Sequence, residues 1–147
     1  MKKKIMSGIL GLAMVLGMST SAFAVDFYHE KNDKRNGRSS GAEEFTFTNY
    51  TIISGSASSK GDHDWYKFVA PVSAKYKFDF IAEVDLSEDQ DALLTIYDGA
   101  LNVLASKRVN SYNTIEIVKR LTAGETYYIE IESDFHIPYK YDIRIRK

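Results

Sequence analysis

The feature that most narrows what this chain can become is the alternation in "AKYKFDFIAEV". Tyr76, Phe78, Phe80 and Ala82 share one parity, while Lys75, Lys77 and Asp79 share the other. Successive side chains of a strand point to opposite faces, so the pattern describes a strand with one face in a core and one in water. The same parity turns Tyr127, Ile129 and Ile131 inward in "ETYYIEIES", and Tyr139, Tyr141, Ile143 and Ile145 inward in "YKYDIRIRK". Further strands are expected at 50–56, 64–70, 92–98, 102–108 and 114–121, bounded by turn signals such as Ser54-Gly55, Asp98-Gly99 and Ala123-Gly124. About eight short strands with no amphipathic helix predict an all-β fold, an antiparallel β-sandwich or jelly roll, with a barrel as the alternative. Phe68, Phe78, Phe80, Leu94, Ile96, Ile129, Ile131 and Ile143 are the expected core.

Ahead of the strands the chain reads differently. Three lysines, an apolar run from Ile9 to Met18 and the small-x-small triplet Ala22-Phe23-Ala24 describe a secretory signal peptide over residues 1–24. The apolar run is too short to span a bilayer, so a secreted protein with no membrane contact after signal removal is expected. Residues 25–44 are polar and show neither helical nor strand periodicity, which reads as an arm, and 45–147 form the single domain. Three of the 19 Lys and Arg fall in the signal and none of the 20 Asp and Glu, leaving 16 against 20, or −4. Nucleic acid is not an expected partner, because its phosphates need a basic face. The chain has no Cys, so neither disulfides nor a thiol nucleophile enter the account.

"SSKGDHDWYKF" invites a catalytic reading, since Asp62 and Asp64 flank His63. A nucleophile, however, needs a base in reach and a third group to orient it. The chain has no G-x-S-x-G elbow and no H-E-x-x-H, so a solvated loop histidine is the default reading of His63 and no catalytic residue is assigned. Three acidic clusters are candidates for a calcium ion, which takes six to eight hard oxygen ligands. They are Glu30, Asn32 and Asp33; Asp62 and Asp64; and Asp85, Glu88, Asp89 and Asp91, the last lacking the spacing of an EF-hand loop. Most Tyr and Phe fall at inward parity. That leaves Tyr50, Tyr112, Tyr128 and Trp65 for an outer face, with Trp65 expected to pack on the arm.

The series "EKND", "SGSASSKGDHDWYKFVAP", "DALLTIYDGALNVLAS", "LTAGETYYIEIES" and "YKYDIRI" resembles the bacterial pre-peptidase C-terminal domain over about residues 30–145. The resemblance implies a jelly-roll sandwich of the kind attached to secreted proteases and other hydrolases, related to the collagen-binding domains of clostridial collagenases and not itself catalytic. It also implies a calcium ion that ties the arm to the sandwich through Glu30, Asn32, Asp33 and Asp64, with Asp62 as a neighbour. The relatives often carry a further acid where this chain has Tyr28. The expected function is a secreted, calcium-stabilised, non-catalytic module, monomeric, that binds an extracellular polymer, either protein fibre or cell-wall glycan. An accessory or inhibitory partner of a secreted protease is the alternative, and a small secreted hydrolase the second.

Overall fold

The computed structural model describes residues 24–31, 37–83, 91–110, 114–134 and 138–147. The expected signal peptide, Asn32, Asp33, Asp85, Glu88, Asp89, Tyr112 and His136 lie outside the described residues, apart from Ala24. Ten strands make two five-stranded sheets packed as a sandwich. The strands are β1 (Val25–His29), β2 (Glu43–Glu44), β3 (Tyr50–Ala57), β4 (His63–Val69), β5 (Ala74–Ala82), β6 (Asp91–Asp98), β7 (Val103–Asn110), β8 (Thr114–Leu121), β9 (Thr126–Ser133) and β10 (Tyr139–Arg146). The first sheet runs β1-β3-β10-β5-β8 and the second β2-β4-β9-β6-β7. Nearly every connection between consecutive strands crosses from one sheet to the other; β6 and β7 instead pair side by side.

Eight of these strands coincide with the eight expected ones, and all are paired antiparallel. The expected core residues are each 0–1% exposed. Ser54-Gly55 is not a turn, as the dipeptide suggested, but lies inside β3. Two short strands raise the count to ten and make both sheets mixed. β1 lies parallel to β3 and β2 parallel to β4, so part of the polar arm is regular structure.

β1 holds without a long apolar face because one residue anchors it. The Tyr28 ring packs against Phe45 at 5.9 Å and edge-on to Tyr66 at 6.4 Å. Its hydroxyl donates to Glu43 Oε2 at 2.7 Å, and the Lys31 amide donates to both oxygens of the same carboxylate at 3.0 Å. Tyr28 therefore joins β1 to the core. Beyond His29 the ladder continues through Glu30, whose amide reaches Ser54 O at 3.0 Å.

Candidate functional site

Two constellations stand out, one buried at the arm and one on an outward face. The first begins with the parity of β4, where Asp64 points inward with Tyr66 and Phe68 and is 1% exposed. A buried carboxylate is costly unless its oxygens are satisfied. One of them is: Tyr141 donates to Asp64 Oδ2 at 2.6 Å. Because Tyr141 gives its only hydrogen there, Tyr66 is the donor in the 2.7 Å contact between the two hydroxyls. Asp64 Oδ1 has no donor.

The network occupies the space above Gly55, which pairs directly with Tyr141 across β3 and β10. A Cβ at Gly55 would sit 2.5 Å from the Tyr141 ring carbon and hydroxyl and 2.6 Å from the Tyr66 hydroxyl. Only glycine admits the tyrosine pair.

Glu30 brings a second carboxylate to this point. Its Oε2 accepts the Ser56 amide at 2.9 Å, extending the β3 edge past the end of β1, and the side chain lies within hydrogen-bond reach of Asp64. Burial raises the Asp64 carboxyl most. The Tyr141 hydrogen bond acts the other way, Glu30 and Asp62 raise it further, and the result is about 8. Two adjacent carboxylates repel unless a proton or a cation lies between them. Asp62 is close enough to contribute to that field, but its Oδ2 closes the preceding turn by accepting from Ser58 N at 2.6 Å and Ser58 Oγ at 2.9 Å.

Of the five expected calcium ligands, the fold thus brings Glu30 and Asp64 together, with Asp62 at the rim. Among the described residues no three acidic or histidine side chains converge tightly enough to hold a metal ion. The orphaned Asp64 Oδ1 and the facing carboxylates fit a hard cation, and Glu30 and Asp64 would be its ligands from the described chain.

The second constellation is on the outward face of the second sheet. Register aligns Trp65 with Glu130 and Thr95, and Lys67 with Tyr128 and Tyr97, across β4, β9 and β6. Trp65 stacks on Tyr97, with centroids 5.0 Å apart and planes at 26°, and meets Tyr128 at 6.4 Å and 71°. Among the described residues its ring contacts are to β6 and β9, not to the arm where it was expected. Beside these rings Glu130 has outward parity yet is only 8% exposed. His63 Nδ1 lies 2.8 Å from Glu130 Oε1, and the Tyr97 hydroxyl donates to Oε2 at 2.5 Å. Burial and this carboxylate raise the Tyr97 hydroxyl well above the usual phenol range. His63 is therefore held by Glu130 rather than free in solvent. Among the described residues no hydroxyl is hydrogen-bonded to it, so the pair lacks the nucleophile of a triad.

Trp65 and Tyr128 were legible as outward from parity alone. Tyr97 and Glu130 have outward parity too, opposite to Leu94 and Ile96 and to Ile129 and Ile131, but nothing in the sequence signals that the four side chains meet. Only the register of β6 on β9 on β4 brings them together.

No protein-family model and no curated protein matches the chain. Among solved structures it is similar to the pre-peptidase C-terminal domain of collagenase from Bacillus anthracis, with a TM-score of 0.56 at 19% identity, over 71% of this chain and 96% of that one. The sandwich is the fold of that domain. Looser overlaps are found with the periplasmic inhibitor of g-type lysozyme from Aeromonas hydrophila, at a TM-score of 0.49, 10% identity and 84% and 98% of the two chains. Another is the carbohydrate-binding module of Cellvibrio mixtus lichenase 5A, at 0.43, 21% identity and 60% and 72%.

Proposed function

We propose that the chain is a secreted, non-catalytic binding module that holds an extracellular polymer on the outward face of its second sheet. One observation carries the reading: Trp65, Tyr97 and Tyr128 are gathered on an outward face, next to a His–Glu pair with no nucleophile among the described residues. Large rings are normally core material, and three of them left half-buried on an outward face support an interaction surface there. The opposite face of the sandwich is of another kind. There Arg146 pairs with Asp79 at 2.8 Å and Lys77 pairs with Glu116.

Calcium belongs to the same proposal as a stabiliser on the inner side of the sheet whose outer face binds. Glu30 and Asp64, joined by Asn32 and Asp33 of the arm, would hold the ion and replace the proton that the two carboxylates otherwise need between them. Tyr28 supports a division of labour in which the strand β1 is anchored by packing and only the segment after it depends on the ion. Incubating the purified protein with insoluble collagen, chitin and peptidoglycan tests the reading. Retention without release of soluble products is expected, whereas turnover that disappears in His63→Ala would replace it with a hydrolase.

A further inference from the structure

The aromatic face also limits what the polymer is, and this step rests on the binding reading above. We infer that the face takes an uncharged glycan of β-linked pyranose rings, with Trp65 and its two tyrosines supplying the stacking surface and Glu130 with His63 the polar contacts.

Three observations lead there. The first is shape. Two clefts of about 370 and 360 Å³ are lined from the first sheet and its loops, and neither Trp65, Tyr97 nor Tyr128 lines them. Trp65, Tyr97 and Tyr128 are each half-buried on the outward face of the sheet and outside both clefts, an arrangement that suits an extended, ribbon-like chain lying along the sheet more than a small molecule held in a pocket. β-linked pyranoses form such ribbons, whose axial C–H bonds give each ring a flat apolar face.

The second is the carboxylate. A stacking surface for an apolar partner has no use for an ion, yet Glu130 sits among the rings with one oxygen on His63 and the other on Tyr97. Each carboxylate oxygen has a second lone pair, and among the described residues the His63 nitrogen remote from Glu130 has no partner, so the cluster can take and give hydrogen bonds. Sugar hydroxyls are both donors and acceptors, and a ring lying on Trp65 would carry them at its rim. Buried polar groups aimed at hydroxyls discriminate strongly, because a ligand lacking them leaves those groups unpaired.

The third is charge. Lys67 pairs with Glu44 at 3.2 Å, and with Arg108 set against Glu130 and Glu132 the described residues of this face come within one charge of neutral. Neither a polyanion nor a basic chain gains from it electrostatically. A proline-rich peptide would also stack on the rings, but its tertiary amides have no N–H to give the Glu130 carboxylate.

The test uses Trp65 as its own reporter, since it is the chain's single tryptophan. Titrating the mature protein with soluble N-acetylglucosamine and glucose oligomers of the β-1,4 series should shift and quench its emission. Parallel co-sedimentation uses insoluble chitin, cellulose and collagen. Tyr128→Ala and Glu130→Gln should each weaken glycan binding by about tenfold or more, equivalent to ~1.4 kcal/mol, with the fold intact by circular dichroism. Trp65→Ala should abolish retention on the insoluble glycan. Binding to collagen through Trp65 without response to any glycan would overturn the ligand assignment and leave the binding face standing. Glycan binding that survives Trp65→Ala would overturn the site, and no retention on any polymer would overturn both readings.

Discussion

Replacing Asp64 by Asn should stabilise the calcium-free protein, the reverse of what removing a hydrogen-bonded buried side chain usually does. The folded carboxyl lies at about 8 against an ordinary 3.8. Between those values the folded state keeps a proton that the unfolded chain has lost, so stability is intact below about pH 4, falls as pH rises and levels off above about pH 8. Each pH unit in the window removes about 1.4 kcal/mol, which by pH 7 amounts to about 4 kcal/mol. An asparagine avoids that penalty. Its oxygen can still accept from Tyr141, which now reaches Asp64 Oδ2 at 2.6 Å, and its amide can donate towards Glu30. Part of the gain is offset by imperfect geometry, so about 2–4 kcal/mol is expected at pH 7, falling to near zero at pH 4. Urea denaturation in EDTA from pH 4 to pH 8 measures both the gain and its pH dependence. With calcium the order should reverse, because the wild type gains RT ln(1 + [L]/Kd), about 2.7 kcal/mol at a hundredfold excess over Kd, and the variant does not. If Asp64→Asn is less stable than wild type in EDTA at pH 7 and keeps the wild-type pH slope, the buried carboxyl is not the strained group described above.

Other perturbations test separate parts of the structure. Gly55→Ala should cost about 2–4 kcal/mol by thermal or urea unfolding, since its Cβ would fall 2.5 Å from Tyr141 and force the tyrosine off Asp64; a change below about 0.5 kcal/mol would mean the pair moves aside freely. Phe80→Ala and Phe78→Ala, both 0% exposed, should each cost about 3–5 kcal/mol in the same assay. Calcium at millimolar concentration should slow proteolysis between Lys31 and Gly37 and raise Tm, with magnesium a poor substitute because it sheds its waters reluctantly; an Asp33→Ala protein that still responds fully would remove Asp33 from the ligand set.

The fold was largely legible because its strands are amphipathic at period two. Tyr76, Phe78 and Phe80 between lysines and an aspartate admit no helical reading, and β5 runs from Ala74 to Ala82. β1 was not legible. Its five residues turn Phe27 to solvent at 66% exposure, and its hold comes from Tyr28 on Glu43, fifteen residues away, and from a parallel partner that the alternation cannot announce. Asp64 shares the inward parity of Tyr66, so its burial was readable from "HDWYKF". That its partners are Tyr141 and Glu30 was not, since each contact depends on tertiary register and not on local pattern. The same holds for the outward face, where Glu130 lies 67 residues from His63 and 33 from Tyr97.

Binding is assigned to one face of the sandwich and not to the other. Co-sedimentation of two variants with the insoluble polymer that retains the wild type tests this directly. Trp65→Ala removes the centre of the aromatic cluster, while Val118→Ala alters a residue 51% exposed on the first sheet. Loss of retention in Trp65→Ala with wild-type retention in Val118→Ala is the expected result; full retention in Trp65→Ala, or loss in Val118→Ala alone, would contradict it.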